Sequence, residues 1–516
     1  MIRRGQTHTH QFTYKGRTRH LDAFTLHLLQ LAAQFFVDNN VQAYLVGGSV
    51  RNTLLNEPCS DWDIVTTGDA PTLSRKLAHK LGGYYAHMHE KASRITVKQQ
   101  GQDIIFDVAP LNGRSIEADL RQRDFTMNAI ASILSEAIRS YIENTPLPLI
   151  DPLHGATDIA ARTLRTVNDD VFKQDTLRML RAMRFATRYK LTIEEYTQQL
   201  IQRDAALLLI AAPERIQAEL YALLEPTGAT DHLRMLDGYG LLTALLPEFM
   251  PARGMLQPGL HHWDVFEHSL ETVAALERLA ATLHLSAEEI RETPLDGGRG
   301  DLVVIQELLH EAEQEGYFQY ASMTSPVMKL AALLHDIGKT TTQVIHEDGK
   351  ITFYGHPQAG VPLVHSIARR LSLSTQDHRL IRQIVANHMR PGQLSHDTIT
   401  ARAVRRYFVD LGPVGIPVAL ISLADHLAMR GPEPLTEAWE NHLATVRLLL
   451  TRYIREREVT LPPHLVQAEE LMRKFNLEPG PIVGQLLEQI AEARADGLLH
   501  SKDDAFWFAQ EKLDSK

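Results

Sequence analysis

Cysteine is nearly missing from this chain: Cys59 is the single one among 516 residues. That excludes an intramolecular disulfide and leaves the thiol as a small packing residue. No continuous run of about 18 apolar residues is present, so no membrane-spanning helix and no membrane partner are expected. Met1 to Lys15 is polar and contains His and Arg, without the apolar centre of a signal peptide. The cytoplasm follows as the expected compartment. An excess of basic charge is also missing, with 53 Lys and Arg against 63 Asp and Glu and a net charge of −10. A uniformly basic coat for nucleic acid is thereby excluded, whereas a local basic stripe is not. There is no repeat of fixed period and no low-complexity tract.

What is there is the composition of a soluble globular protein, 44% hydrophobic and 22% charged. A chain of 516 residues exceeds the roughly 250–300 at which a single core stops growing, so several domains are expected. Residues 1–150 read as mixed α/β, with a helix at 21–38, strands at 43–47 and 61–66, and a helix at 71–81. Strands near 94–100 and 103–109 are joined by the hairpin signal Gly101-Gln102. Beyond 151 the strand signals fade and segments of helical period take over, among them Leu177–Tyr189 and Ile216–Leu224. Thr293–Asp301 reads as a loop, and Pro432 to Pro434 as a break.

The most informative stretch is Leu45-Val46-Gly47-Gly48-Ser49-Val50-Arg51-Asn52, followed by Asp61-Trp62-Asp63-Ile64-Val65. An apolar strand ends in a Gly-Gly turn, a helix opens behind it, and a second strand carries two acids. Side chains alternate along a strand, so Asp61 and Asp63 share a face. Two carboxylates on one face suit Mg²⁺. The Gly-Gly backbone near a helix start offers N–H groups to a triphosphate. Metal beside phosphate is the machinery of nucleotidyl transfer. In this order and this close, the two elements resemble the DNA polymerase β-like nucleotidyltransferases. More narrowly, they resemble the class II tRNA nucleotidyltransferase and bacterial poly(A) polymerase family.

The resemblance extends along the chain. Asp107 in Ile105-Phe106-Asp107-Val108 stands where the superfamily has a third acid, a metal ligand or base. Arg121-Gln122-Arg123-Asp124-Phe125-Thr126-Met127-Asn128-Ala129 is similar to the family motif Arg-Arg-Asp-Phe-Thr-x-Asn-Ala, with Gln122 for its first Arg. Arg123 then implies a triphosphate contact, and Asp124 and Asn128 a ribose contact. Gln174-Asp175-Thr176-Leu177-Arg178 resembles Glu-Asp-x-x-Arg, with Gln174 for Glu. Read as one helix, Asp175 and Arg178 lie on neighbouring faces at i, i+3. They can pair with the Watson–Crick edge of A or C, while Arg181 and Arg184 reach phosphate or the RNA end. Gly47, Gly48 and Arg51 seat the triphosphate. Asn52 departs from the usual Val-Arg-Asp. Glu214, Arg215 and Glu219 match Glu-Arg-Ile-x-x-Glu-Leu as a structural charge network.

A second constellation contains His268, His335-Asp336-Ile337-Gly338-Lys339, His356, His388 and Asp425. It resembles the HD phosphohydrolase domain. Imidazole and carboxylate donors from several helices suit a divalent metal of unassigned identity. His268, His335, Asp336 and Asp425 form the core set, and His356 and His388 a second metal site. The resemblance covers about 40–250 and 260–510. It implies an α+β polymerase β-like head (20–150), a helical nucleotide-selecting and RNA-binding region (151–255), a helical HD domain (256–430) and a C-terminal helical RNA-binding region (431–516). It also implies a template-independent RNA nucleotidyltransferase acting with Mg²⁺, ATP and CTP on a tRNA or other RNA 3′ end. CCA addition is the first expectation, with A, CC or poly(A) addition as branches. An HD-type phosphohydrolase with a degenerate head is the alternative from another class.

Overall fold

The structure is a computed structural model that describes residues 21–88, 92–98, 101, 103–292, 298–395, 399–433, 435–461, 463–495 and 497–514. The N-terminal tract, the middle of the hairpin signal, most of the Thr293–Asp301 loop and Pro434 lie outside these residues. Contacts divide the chain into two units. One runs to Ala211 and includes Tyr239–Leu241; the other comprises Ala212–Gly238 and Leu242 onward.

In the first unit, Asp22 caps α1 (Ala23–Asp38) by accepting from Thr25 N at 2.9 Å. Leu28, Leu29, Ala32, Ala33 and Phe36 recur at helical spacing and form its buried face. A six-stranded sheet follows in the order β3-β4-β5-β2-β1-β6. Its strands are β1 (Ala43–Val46), β2 (Asp61–Thr66), β3 (Tyr84–His87), β4 (Ser93–Val97), β5 (Ile104–Pro110) and β6 (Ala131–Ile133). The sequence reading lacks β3 and β6, which are short and do not alternate cleanly. β2 and β5 run parallel, which sets Asp63 opposite Asp107. Alternation buries Trp62 and Ile64 and leaves Asp61 and Asp63 on the wetter face.

The Gly-Gly pair differs from expectation. It makes no separate turn, because α2 (Gly47–Leu55) starts on Gly47 itself, directly after β1. A left-handed φ of 61° at Gly47 turns strand into helix in one residue. Past 151 the unit is mostly helical, as read, although Thr163–Leu164 pairs with Thr192–Ile193 in a two-residue parallel ladder.

The second unit is a helical array. Val265–Leu283 packs on Gly415–Met429, Pro326–Leu334 on Thr375–Asn387, and His356–Arg370 on Thr375–Asn387. The stretch Ala401–Met429 is long and apolar enough to cross a membrane. It is broken at Gly412–Val414, and 72% of its most apolar window is buried in the fold. Lys329 is wholly buried. Its ammonium donates to Leu224 O (2.7 Å), Pro226 O (2.8 Å) and Glu225 O (3.3 Å) and pairs with Glu277 at 2.8 Å. These carbonyls end the helix Pro213–Leu224, so a chain cation neutralises that helix terminus. The C-terminal segment reads as expected: the helix Ala468–Phe475, a turn at Gly480, and the helix Pro481–Ala495.

Candidate active site and metal centre

Ser49 fastens the start of α2 to β2. Its hydroxyl accepts from Asp63 N (2.7 Å) and donates to Asp61 O (3.2 Å). This brings Gly48 N within 3.0 Å of Asp63 Oδ2, a backbone donor already facing the acid. A side chain would be crowded here: a Cβ on Gly47 would lie 3.0 Å from Arg123 Nη1, and one on Gly48 would lie 3.1 Å from Asp63 Oδ2. Burial pushes the Asp63 carboxyl above its ordinary value, and the charge of Asp107 adds to the shift, while Arg123 and Gly48 N–H oppose it. Asp107 is gripped by Arg94, Nε to Oδ1 and Nη2 to Oδ2, each at 2.8 Å. An acid raised by burial and by a second acid is an environment that a hard cation relieves, so Asp63 and Asp107 suit Mg²⁺; Asp61 shares their strand face but is not gathered with them into one close ligand group.

Around this centre the arginines are braced. Arg123 binds Asp119 through Nε (3.1 Å) and Nη2 (2.9 Å), which leaves Nη1 toward Gly47. Arg51 Nη1 donates to Asn128 Oδ1 (2.7 Å), Asn128 Nδ2 to Asp124 Oδ1 (2.9 Å), and Arg181 Nη2 to Asp124 Oδ2 (2.7 Å). Asp124 is buried. Burial would raise its carboxyl, but Arg181 and Asn128 hold it below the ordinary value. The arginines Arg51, Arg181 and Arg184 lie 5.2, 5.2 and 4.7 Å from the Phe185 ring centre, a cation–π cluster.

Asp175 and Arg178 do not share a helix, contrary to the periodicity. One helix ends at Gln174 and the next begins at Arg178, with Asp175 extended between them (φ −151°, ψ 105°). Asp175 Oδ1 accepts from Leu177 N at 3.2 Å, an Asx-type turn that competes with helix. Arg178 is aimed by Gln122 O (3.1 Å) and Gln174 Oε1 (3.2 Å). Gln174 thus holds Arg178 through the side chain that departs from the family motif, whereas Gln122 does so through a backbone carbonyl that any residue would offer.

In the second unit the structure brings the second constellation together. Ligand atoms of His268, His335, Asp336 and Asp425 lie within 4.8 Å of one another, as do those of Asp336, His356 and His388. Asp336 belongs to both groups. Its Oδ2 is 3.2 Å from His335 Nε2, and its Oδ1 is 3.2 Å from His356 Nε2 and 3.4 Å from His388 Nε2. Backbone carbonyls engage the far nitrogens: Ala332 O at His335 Nδ1 (2.8 Å), Phe353 O at His356 (2.9 Å) and Val385 O at His388 (2.9 Å). Each Nε2 is thereby turned inward to the cluster, the arrangement of a metal-ligating imidazole. His335 Nε2, Asp336 Oδ1 and His268 Nδ1 are buried without hydrogen-bond partners, so the donor set fits divalent metal. Gly338 of the His-Asp-Ile-Gly-Lys run is required by close approach, since a Cβ there would fall 2.0 Å from His356 O. A cavity of about 650 Å³ opens on this cluster, lined by His356, His388, Asp425, Lys339, Lys350 and His442.

Sequence reasoning missed Ser49, Arg94 and Lys339. Arg94 was within reach: a hairpin centred near Gly101 pairs it with Asp107, as β4 and β5 do. Lys339 Nζ, 2.5 Å from Asp336 Oδ2, had no signal beyond its place in the motif.

Residues 43–165 match the poly(A) polymerase head domain, 190–253 the probable RNA- and SrmB-binding site of polymerase A, and 265–430 the HD domain. The A-adding tRNA nucleotidyltransferase of Deinococcus radiodurans is 33% identical, over 91% of this chain and 95% of that protein. The chain belongs to the tRNA nucleotidyltransferase family. These are enzymes, and the family is shared with the CC-adding tRNA nucleotidyltransferase of Thermus thermophilus, 28% identical over 90% of this chain and 92% of that one. A Thermotoga maritima CCA-adding enzyme complexed with tRNA shares the fold, with a TM-score of 0.58 at 20% identity, covering 96% of this chain and 97% of that one.

Proposed function

We propose that this tRNA nucleotidyltransferase adds CMP and AMP from CTP and ATP to the 3′ end of tRNA, completing CCA, in the cytoplasm. The observation that carries the reading is the placement of Asp63, opposite Asp107 on β5 and 3.0 Å from Gly48 N at the start of α2. Mg²⁺ held by Asp61 and Asp63 supplies activation of the RNA 3′-hydroxyl and neutralisation of the leaving pyrophosphate. Gly48 N–H and the helix start orient the triphosphate, and Arg51 and Arg123 add charge toward it. Asp107, held by Arg94, is a third ligand or the base that takes the hydroxyl proton. Asp175 and Arg178 select the base. Asp124 and Asn128 position Arg51 and Arg181 and border the ribose, and Arg184 faces the RNA end. The regions 151–255 and 431–516 bind RNA.

Two observations support further readings. Identity of 33% over almost the whole of an A-adding enzyme favours addition of the terminal adenosine alone. The two metal-ligand groups sharing Asp336 support phosphoester hydrolysis at the HD site, with His268, His335, Asp336 and Asp425 holding one divalent ion and His356 and His388 a second.

The test is extension of labelled tRNA ending before C74, after C75, or complete, with CTP, ATP or both, in the wild type and Asp61→Ala/Asp63→Ala. Stepwise CCA completion lost in the variant supports the first reading. Extension confined to the tRNA ending at C75 assigns terminal adenosine. No extension on any substrate overturns transfer and leaves hydrolysis at the HD site.

A further inference from the structure

Arg51 is almost fully buried (8% exposed), yet its partners are neutral. Asn52 Oδ1 accepts from its Nε (3.1 Å) and Nη2 (2.8 Å), and Asn128 Oδ1 from its Nη1 (2.7 Å). The rings of Phe185 and Tyr189 lie 5.2 and 4.9 Å away. Among the described residues no carboxylate is within ion-pairing distance. A buried guanidinium gains most from a bonded carboxylate; Asp124 and Asp63 act on Arg51 only from beyond bonding distance, so the guanidinium keeps the capacity to bond an anion. Its Nη2 points to the glycine pair: a Cβ on Gly48 would lie 3.4 Å from it and 3.1 Å from Asp63 Oδ2.

Asn52 is also fixed as an amide rather than an acid. Its Nδ2 donates to Pro58 O (3.1 Å), and its Oδ1 accepts from Tyr189 OH (3.3 Å) as well as from Arg51. A carboxylate would set an oxygen against the Pro58 carbonyl, where nothing donates. The neutral side chain therefore ties α2 to the loop that follows it.

We propose that Asn52 is a positioning residue that holds Arg51 without bonding a carboxylate to it, so that Arg51 acts as a fixed cation behind the Gly47-Gly48 backbone for the triphosphate of the incoming nucleotide. This rests on the head being the nucleotidyl-transfer site. Asn52 touches no substrate and acts only through Arg51. The neutral amide makes triphosphate recognition, and not base recognition, depend on this position. Its effect is therefore equal for ATP and CTP.

The experiment is calorimetric titration of inorganic tripolyphosphate with Mg²⁺, and separately of adenosine, into the full chain as wild type, N52D and N52S. N52D supplies the missing negative charge with unchanged shape. N52S removes the amide without adding charge and serves if the aspartate variant fails to fold. The expected result is a tripolyphosphate Kd raised about fivefold or more in N52D, a clearly smaller rise in N52S, where Arg51 is less well held but gains no bonded carboxylate, and adenosine binding unchanged in both. In extension assays the KM for ATP and CTP rises together in N52D while kcat stays within about twofold. Equal losses in N52D and N52S, or an unchanged tripolyphosphate Kd in N52D, overturn the proposal. Failure of the wild type to bind tripolyphosphate overturns the site reading itself, and this proposal with it.

Discussion

Asp63 and Asp107 stand opposite each other across two parallel strands, and only Asp107 has an arginine gripping both its oxygens. The unpaired member carries the electrostatic strain. Burial and its neighbour hold the Asp63 carboxyl above its ordinary value.

For Asp63 the sign of the pH effect follows. A carboxyl whose folded pKa is raised costs stability when ionised, and the cost vanishes as pH falls through that raised value toward the unfolded one near 3.9. Asp63→Asn is expected to abolish nucleotide transfer and yet raise the melting temperature of the metal-free protein at pH 7, with the gain shrinking at acid pH. Calorimetric scans without Mg²⁺, beside an extension assay, check both halves. A lower melting temperature at pH 7 contradicts the assignment of strain.

The proposed base selection rests on Asp175 and Arg178. Asp175→Ala is expected to reduce discrimination between the correct nucleotide and UTP or GTP by about 10- to 100-fold, the worth of one good paired contact. The ratio of kcat/KM values on one tRNA measures it. An unchanged ratio with reduced overall rate assigns Asp175 to the turn alone.

Asp124 is the buried hub of the arginine network, and removing it leaves Arg181 and Asn128 without their acceptor. Asp124→Ala is expected to destabilise the protein by about 3 kcal/mol. Its folded pKa is depressed, so its contribution is complete above about pH 4 and lost as pH falls below that. Denaturant titrations of wild type and variant at pH 7 and pH 3 test this, with the gap narrowing at the lower pH.

The HD centre predicts a difference in metal content. Asp336 belongs to both ligand groups, and His356 to one. Asp336→Asn is expected to empty both positions after dialysis against Mn²⁺, and His356→Ala only one. Elemental analysis per chain reads the outcome. Equal loss in the two variants contradicts separate sites.

The legible part of the chain was the part governed by local periodicity and by chemistry within one segment. Asp61 and Asp63 were readable as one face because a strand alternates strictly, and the β2 boundaries matched. His335-Asp336 was readable as a ligand pair because few other uses join those residues to Ile-Gly-Lys. The break at Asp175 was hidden because no Gly or Pro marks it; a side chain turning back to Leu177 N makes it. The backbone carbonyls that engage Nδ1 of His335, His356 and His388 also left no pattern, since nothing in residue identity reports a ring's orientation. The Gly-Gly pair was read for its chemistry but not its geometry, because φ at Gly47 is set by the strand it leaves and the acid it must avoid.

Lys329 bears on how the metal-bearing half can exist by itself. A fragment beginning at Val265, with the first metal-bearing helix, keeps Glu277 but discards the carbonyls of Leu224, Glu225 and Pro226. It then holds an ammonium in an apolar interior with one partner where it had four, or opens to let water in. The smallest piece that keeps all four partners of Lys329 therefore starts near Ala212, ahead of the helix whose end that lysine seals.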